Sequence, residues 1–300
     1  MTDVGQWQQI RAGVYWSRCQ PAGVNLGLVV GEHAALLVDT GASPAHGEQV
    51  RASVAQLTDV PLRTVVVTHG HWDHALGLAA FPGLETIGHE SLAETLRSPE
   101  GLQAAQQQGV DPAQVLIPER LVSILAAVDL GGRRVEIGHF GPAHTQGDLT
   151  VLVPDDRVLF AGDLVEQGAP PGVDEQTSLR GWHQVLDALQ TLCRDDTVVV
   201  PGHGDPVNRD YIAWQRAGLA ALWGQCEWLV HQGVAEADAY DHDGLQWPWG
   251  QQWARAAIAR AYAELAAAGK LPGRQLPLRP VSAGSGQPAE DLLGGIGQPG

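Results

Sequence analysis

The chain has 300 residues, 44% of them hydrophobic, enough for one large α/β domain or two smaller ones with an ordinary core. The formal charge is −16, and Lys270 is the one lysine among 18 basic residues. No basic stripe is present that could neutralise a phosphate backbone, which excludes nucleic-acid binding as a main role.

Cys19, Cys193 and Cys226 stand far apart without a Cys-x-x-Cys pair, so they read as buried, inert thiols. The opening MTDVGQWQQI has no basic segment leading into an apolar one, and no apolar run approaches ~20 residues. A cytoplasmic enzyme without a membrane span is expected.

The predicted elements start with a hairpin, NLGLVV (25–30) and AALLVDT (34–40) around GEH. A helix over 43–57 opens at Ser43-Pro44. TVVV (64–67) is a short buried strand, and GLETIG (83–88) another. Helices over 90–98 and 99–108 follow. Strands are predicted at 123–130, 133–140, 148–154 and 157–163, with Pro154-Asp155-Asp156 turning between the last two. A helix at 178–192 leads to a second TVVV (197–200), then helices over 208–232 and 250–268. The remainder is rich in Gly, Pro and Ser, and disorder is expected from about 280. The two TVVV strands each run into a Gly/His-rich loop, which suggests two related halves, each a sheet with helices outside.

His69, His71, Asp73 and His74 fall within six residues of TVVVTHGHWDHALG, directly after a buried strand. So many titratable groups beside valines cost free energy unless paired or metallated. Asp39, His69, Asp163 and His203 each follow a buried strand, where open α/β sheets place ligands. His144, in GPAHTQGD, lies in a loop entering a strand and must reach the site from another side.

A metal accounts for the crowding, because imidazole and carboxylate suit zinc, iron or manganese. In an extended turn His69 and His71 can grip one ion. Asp73 and His74, opening a short helix over 74–80, can face a second. One loop cannot close two tetrahedral shells, so His144, Asp163 and His203 are candidates for the rest. The other histidines, His33, His46, His89, His139, His183, His231 and His242, read as solvated or core residues.

In family order, LLVDTG with Asp39, HGHWDH from His69 to His74, AHTQGD with His144, FAGD with Asp163 and PGHGD with His203 resemble the metallo-β-lactamase fold superfamily. The resemblance covers roughly residues 10–210. It implies an α/β fold, an αββα sandwich of two mixed sheets flanked by helices. The expected organisation is a catalytic domain over 1–215, a helical extension over 216–279 packed on it, and a tail over 280–300.

Carried over by residue, the resemblance gives one ion to His69, His71 and His144. It gives a second to Asp73, His74 and His203. Asp163 bridges both, and Asp39 orders the loop from behind. Two Zn²⁺ ions are implied, with Fe or Mn as alternatives. Ions ~3.5–4 Å apart share a water and lower its pKa from ~15.7 toward ~7, giving a bridging hydroxide, with Asp73 orienting it or shuttling its proton.

An aspartate at position 163, where true lactamases of the superfamily carry Cys or Ser, is similar to thioesterase, lactonase and phosphodiesterase branches. Asp148 stands where glutathione thioesterases tend to carry another histidine, and no basic cluster for glutathione carboxylates is evident. The expected activity is therefore hydrolysis of a small neutral ester, lactone or thioester. Alternatives are a mononuclear non-haem iron oxygenase of the persulfide dioxygenase type, and β-lactam hydrolysis. Trp72, inside the metal loop, and His183 are the substrate-pocket candidates. LQWPWGQQW (245–253) offers a hydrophobic wall or a homodimer contact, with the oligomeric state open.

Overall fold

A computed structural model describes residues 3–270. The first half builds β1 (Asp3–Val4), β2 (Gln8–Arg11), β3 (Val14–Gln20), β4 (Val24–Val30), β5 (Ala35–Val38), β6 (Leu62–Val66), β7 (Glu85–His89) and β8 (Arg120–Val122). The second half builds β9 (Leu125–Asp129), β10 (Arg134–Gly138), β11 (Thr150–Val153), β12 (Val158–Glu166) and β13 (Val198–His203). Strand order is β8-β7-β6-β5-β4-β13-β12-β11-β10-β9, with β3 also on β4 and carrying β1 and β2. The two sheets join through one residue pair, His203 with Val24. Each is mixed: β3-β4-β5 are antiparallel and β5-β6-β7-β8 parallel, while β9 to β12 are antiparallel and β12-β13 parallel.

Parallel neighbours need crossovers, and helices supply them. The chain passes through α1 (Pro44–Leu57), α2 (Trp72–Ala75), α3 (Leu92–Arg97), α4 (Pro99–Gln107) and α5 (Leu179–Leu192). It ends its described part in α6 (Arg209–His231), α7 (Glu236–Ala239) and α8 (Gln251–Ala267). Ser43, Ser178 and Asn208 cap α1, α5 and α6 by accepting from the N–H groups of His46, Gly181 and Tyr211.

Period-two alternation sorts the valine strands into layers. Leu36, Val38 and Val66 share one core between the sheets with Val135, Val151, Phe160 and Val200. Leu37 and Val65 point outward, against Val50 and Val54 of α1. Leu159, Ala161 and Val199 point outward on the other side, against α5, α6 and α8. Helix, sheet, sheet and helix layers result, which is the expected αββα sandwich. The two TVVV strands lie in different sheets.

Several details depart from expectation. The first three strands carry no clean alternation and were missed. The strand expected over 123–130 is the shorter β9, and β8 just before it was not predicted; the Ser123-Ile124 corner between them carries the chain from one sheet edge to the other. The boundary drawn at 215/216 cuts through α6, whose Ile212, Leu219 and Leu222 lie in one core with Leu159 and Ala161. Each such buried side chain is worth ~1.5–3 kcal/mol, so α6 is held to the second sheet on both sides of that boundary. The tail expected over 280–300 lies outside the described residues. Burial raises the thiols of Cys19 and Cys193 to about 11 and Cys226 to about 12, consistent with inert cysteines. No helix among the described residues is long and apolar enough to cross a membrane.

Candidate metal centre

Five chain segments converge at one end of the sandwich. Asp39 follows β5, His69 to His74 run from the loop after β6 into α2, and His144 comes from the loop between β10 and β11. His203 is the last residue of β13. Asp163 departs from expectation, since it lies inside β12 rather than past its end. It reaches the site because the β12–β13 register is irregular between Phe160 and Gly162 and between Gly162 and Glu166, with Gly162 at φ 53°. On the neighbouring strand, a Cβ on Gly202 would stand 1.7 Å from Asp163 Oδ1. Only glycine fits there.

His69, His71, His144 and Asp163 form one group of converging ligand atoms, and Asp73, His74 and His203 a second. His71 Nδ1 lies 3.1 Å from His69 Nε2 and 2.9 Å from His144 Nε2. Asp163 Oδ2 lies 3.6, 3.5 and 3.7 Å from the Nε2 atoms of His69, His144 and His203. Its Oδ1 lies 3.1 Å from His74 Nε2. Asp73 Oδ2 lies 3.3 Å from His203 Nε2. One carboxylate thus has an oxygen near each group.

The outer nitrogens show what the inner ones can do. His144 Nδ1 faces Gly172 O at 3.1 Å, and His71 Nε2 faces Asp174 Oδ2 at 3.0 Å. His69 Nδ1 faces Thr68 Oγ1 at 3.1 Å, and His74 Nδ1 faces Asp39 Oδ2 at 2.8 Å. Each outer nitrogen meets an oxygen acceptor, so in the neutral ring the proton sits there and a lone pair points inward. The lone pair of His71 Nδ1 then faces those of His69 and His144 at 3.1 and 2.9 Å, an arrangement that repels unless a cation lies between them. A tetrahedral shell with Zn–N of ~2.0–2.1 Å places its nitrogens about 3.3 Å apart, close to this spacing. His74 Nε2 and Asp163 Oδ1, 3.1 Å apart, are buried and meet no other hydrogen-bond partner. The donor set fits a metal.

Electrostatics divide the rings: against burial, Asp174 raises His71, and Asp163 and Asp39 raise His74 well above the ordinary imidazole range. Burial, reinforced by His74, holds His69 well below the ordinary imidazole range, and burial with His71 brings His144 to about 4, so both rings keep lone pairs at neutral pH. Burial opposes ionisation of Asp163, but His74 and His69 outweigh it and hold the carboxyl well below its usual range.

Asp39 lies behind the loop. Its Oδ1 accepts from Thr68 N–H at 2.7 Å, its Oδ2 faces Thr68 Oγ1 at 2.8 Å, and the same Oδ2 holds His74. Thr68, Asp174 and Glu166 were missed. Asp174 is held down at about 2, the hydrogen bond and charge of His71 outweighing burial. Glu166 is buried, accepts from Gly172 N–H at 2.6 Å and is pushed up to about 8 by burial and Asp163. A Gly172 O partner carries no residue signature, so only the acidic side chains could have drawn notice.

Trp72 lines a cleft of about 180 Å³ together with His71 and Asp174. A neighbouring cleft of about 580 Å³ shares Thr95, Glu100, Asp174 and Gln176 with it. Glu94, Glu100, Asp174 and Glu175 line the larger cleft, and no Lys or Arg does. His183 lines neither; α5 sets it near Arg216, Asp187 and Glu227. The adjacent Trp182 is fully buried and packs edge-on against His144 with ring centroids 5.3 Å apart.

A family model described as the metallo-beta-lactamase superfamily matches residues 20–203. Among characterised proteins, a "Metallo-beta-lactamase type 2" of Bacteroides fragilis is 25% identical over 59% of this chain and 68% of its own. A "Hydroxyacylglutathione hydrolase GloC" of Haemophilus influenzae is 29% identical over 58% of this chain and 81% of its own. An "Atrochrysone carboxyl ACP thioesterase" of Aspergillus fumigatus is 32% identical over 56% of this chain, which spans 47% of that protein. The solved structure of a metallo-beta-lactamase from Pontibacter korlensis superposes with a TM-score of 0.60 at 21% identity, covering 73% of this chain and 99% of that one, a likeness of fold.

Proposed function

The chain belongs to the metallo-beta-lactamase superfamily of metal-dependent hydrolases, and from that premise we propose that it holds two zinc ions and cleaves a small neutral ester, lactone or thioester. The observation that carries this reading is the inward convergence of His69 Nε2, His71 Nδ1 and His144 Nε2, joined through Asp163 to a second complete group, Asp73, His74 and His203. That second group favours a binuclear centre over a mononuclear iron site.

His69, His71 and His144 would hold one ion, Asp73, His74 and His203 the other, with Asp163 between them. Ions bound there supply Lewis acidity for a substrate carbonyl and lower the pKa of water toward ~7. The chain's own groups do the rest. Asp73, tied to His203 through Oδ2, is positioned to hold the proton of the attacking water and pass it to the leaving group. Asp174 and Gly172 fix the rings of His71 and His144, and Asp39 fixes that of His74.

Substrate charge follows from the larger cleft, which meets the one lined by His71 at Glu100 and Asp174. Four carboxylates without a base would repel a glutathione or coenzyme A thioester, a β-lactam carboxylate or a polynucleotide. A small neutral molecule approaches without that penalty. A cytoplasmic location and the lack of nucleic-acid or membrane partners belong to the same proposal.

Elemental analysis of protein purified without added metal, followed by a panel of neutral and anionic esters, lactones and thioesters, tests it. About two zinc ions per chain and preferential turnover of neutral substrates support it. One iron per chain, with oxygen uptake on a persulfide, would replace it with the oxidative chemistry.

A further inference from the structure

The segment from Pro171 to Ser178, between β12 and α5, forms a strap over one half of the site. Gly172 O accepts from His144 Nδ1 at 3.1 Å, Thr177 Oγ1 donates to His144 O at 3.0 Å, and Asp174 Oδ2 pairs with His71 Nε2 at 3.0 Å. Among the described residues, it makes no hydrogen bond to Asp73, His74 or His203.

The outer side of the strap is held by α8. Trp253 Nε1 donates to Pro171 O, and Arg260 Nε donates to Thr177 O. Glu264 Oε1 accepts from Leu179 N–H at 2.7 Å, and its Oε2 accepts from Ser178 Oγ at 3.2 Å. These three residues stand seven and four apart, so they lie along one helix face. Arg260 and Glu264 also pair with each other at 3.6 Å. One helix face therefore grips both ends of a strap that orients two of the three histidines of one ligand group.

We propose that Trp253, Arg260 and Glu264 are positioning residues for the His69–His71–His144 subsite alone. They hold the strap, the strap fixes two imidazoles, and the C-terminal helix so sets how firmly that subsite retains its ion. This rests on the metal-centre reading above. It gives the Trp-rich C-terminal region a role distinct from a wall or dimer contact. Partners of metal-ligating histidines typically change affinity 10–100-fold when lost; holding such a partner one step further out belongs at the lower end of that range.

The experiment follows metal release to a chelator from the full chain. Trp253→Phe keeps the ring against Trp249 but removes the donor to Pro171, and Glu264→Ala removes both acceptors at the other end. Tyr262→Phe removes a hydrogen bond from the same helix to Val234, away from the strap. The subsite's release step is the one that His71→Ala abolishes. That step should run ~10-fold faster in Trp253→Phe and Glu264→Ala, with the other step and Tyr262→Phe unchanged. Equal acceleration of both steps, as general loosening would give, overturns the proposal, and so does no acceleration. The downfield imidazole N–H signals of His71 and His144 give a readout that needs no metal. Faster solvent exchange of these two in the clamp variants, with that of His74 unchanged, supports the proposal; uniform or unaltered exchange overturns it. A wild-type protein that binds no metal would instead refute the metal-centre reading.

Discussion

Asp39 Oδ2 lies 2.8 Å from His74 Nδ1, and Asp39 holds this position at φ 63°, a left-handed conformation that Asp and Asn tolerate better than most residues. Asp39→Asn therefore preserves the backbone while changing the partner. If the new amide oxygen keeps Thr68 N–H, its NH₂ faces His74, whose Nδ1 must then become an acceptor. The ring proton moves to Nε2, where a ligand lone pair is needed. Affinity for the ion on the His74 side should fall 10–100-fold, read by metal titration, with less effect on the His71 side. Unaltered affinity at both subsites would reject this role for Asp39.

Asp163 offers one oxygen near His74 and the other near His69, His144 and His203. Asp163→Asn removes the shared charge and directs an amide N–H toward one lone pair or another. Metal content should fall from about two ions toward one or fewer, with activity lost. His69→Ala and His203→Ala should each strip metal while circular dichroism stays close to wild type. A fully active Asp163→Asn retaining two ions would remove the bridge from the reading.

The run from His69 to His74 was legible because its ligands are adjacent in sequence and follow a valine strand. Asp163 and His203 were legible from the strands they end or interrupt, although Asp163 lies inside β12 through a register irregularity that no local pattern announces. The layers came with the resemblance, because the continuous apolar run Leu36-Leu37-Val38 does not say in sequence which side chain faces which layer. Contacts across long separations were not legible. Asp174 meets His71 across 103 positions, and Trp253 meets Pro171 across 82. Acidic and aromatic residues in loops look alike until the chain has folded. His183 failed for a related reason: its neighbour Trp182 takes the inward face of α5 under His144, which turns His183 away.

Gly202 bears on Asp163 directly, because a methyl group would stand 1.7 Å from Oδ1 and 2.8 Å from the Asp163 backbone N. Neither strand can move without breaking the parallel β12–β13 ladder. Gly202→Ala should therefore cost several kcal/mol, at the upper end of overpacking, and abolish metal binding even where folded protein is recovered. Chelator titration and thermal unfolding check this. A variant with normal metal content would mean that the Asp163 side chain has another place to go.

Asp148 allows a pH prediction. It is buried and accepts from Thr145 N–H and Thr145 Oγ1, both at 2.8 Å, yet burial raises its carboxyl to about 7. In the unfolded chain the ordinary value is ~3.9. Between these values the folded protein keeps a proton that the unfolded chain releases. The stability contribution is thus fully present below about pH 4 and is lost as pH rises through about 7. Asparagine mimics the protonated carboxyl, since its oxygen can accept from Thr145 N–H and its amide can donate to Thr145 Oγ1. Asp148→Asn should cost little at pH 5 and gain on wild type by up to a few kcal/mol by pH 8. Urea unfolding of both proteins in metal-free form measures this, and groups that titrate alike in both cancel in the difference. Parallel stability curves across that range would show that Asp148 ionises in the fold without penalty, and the burial argument would then be wrong.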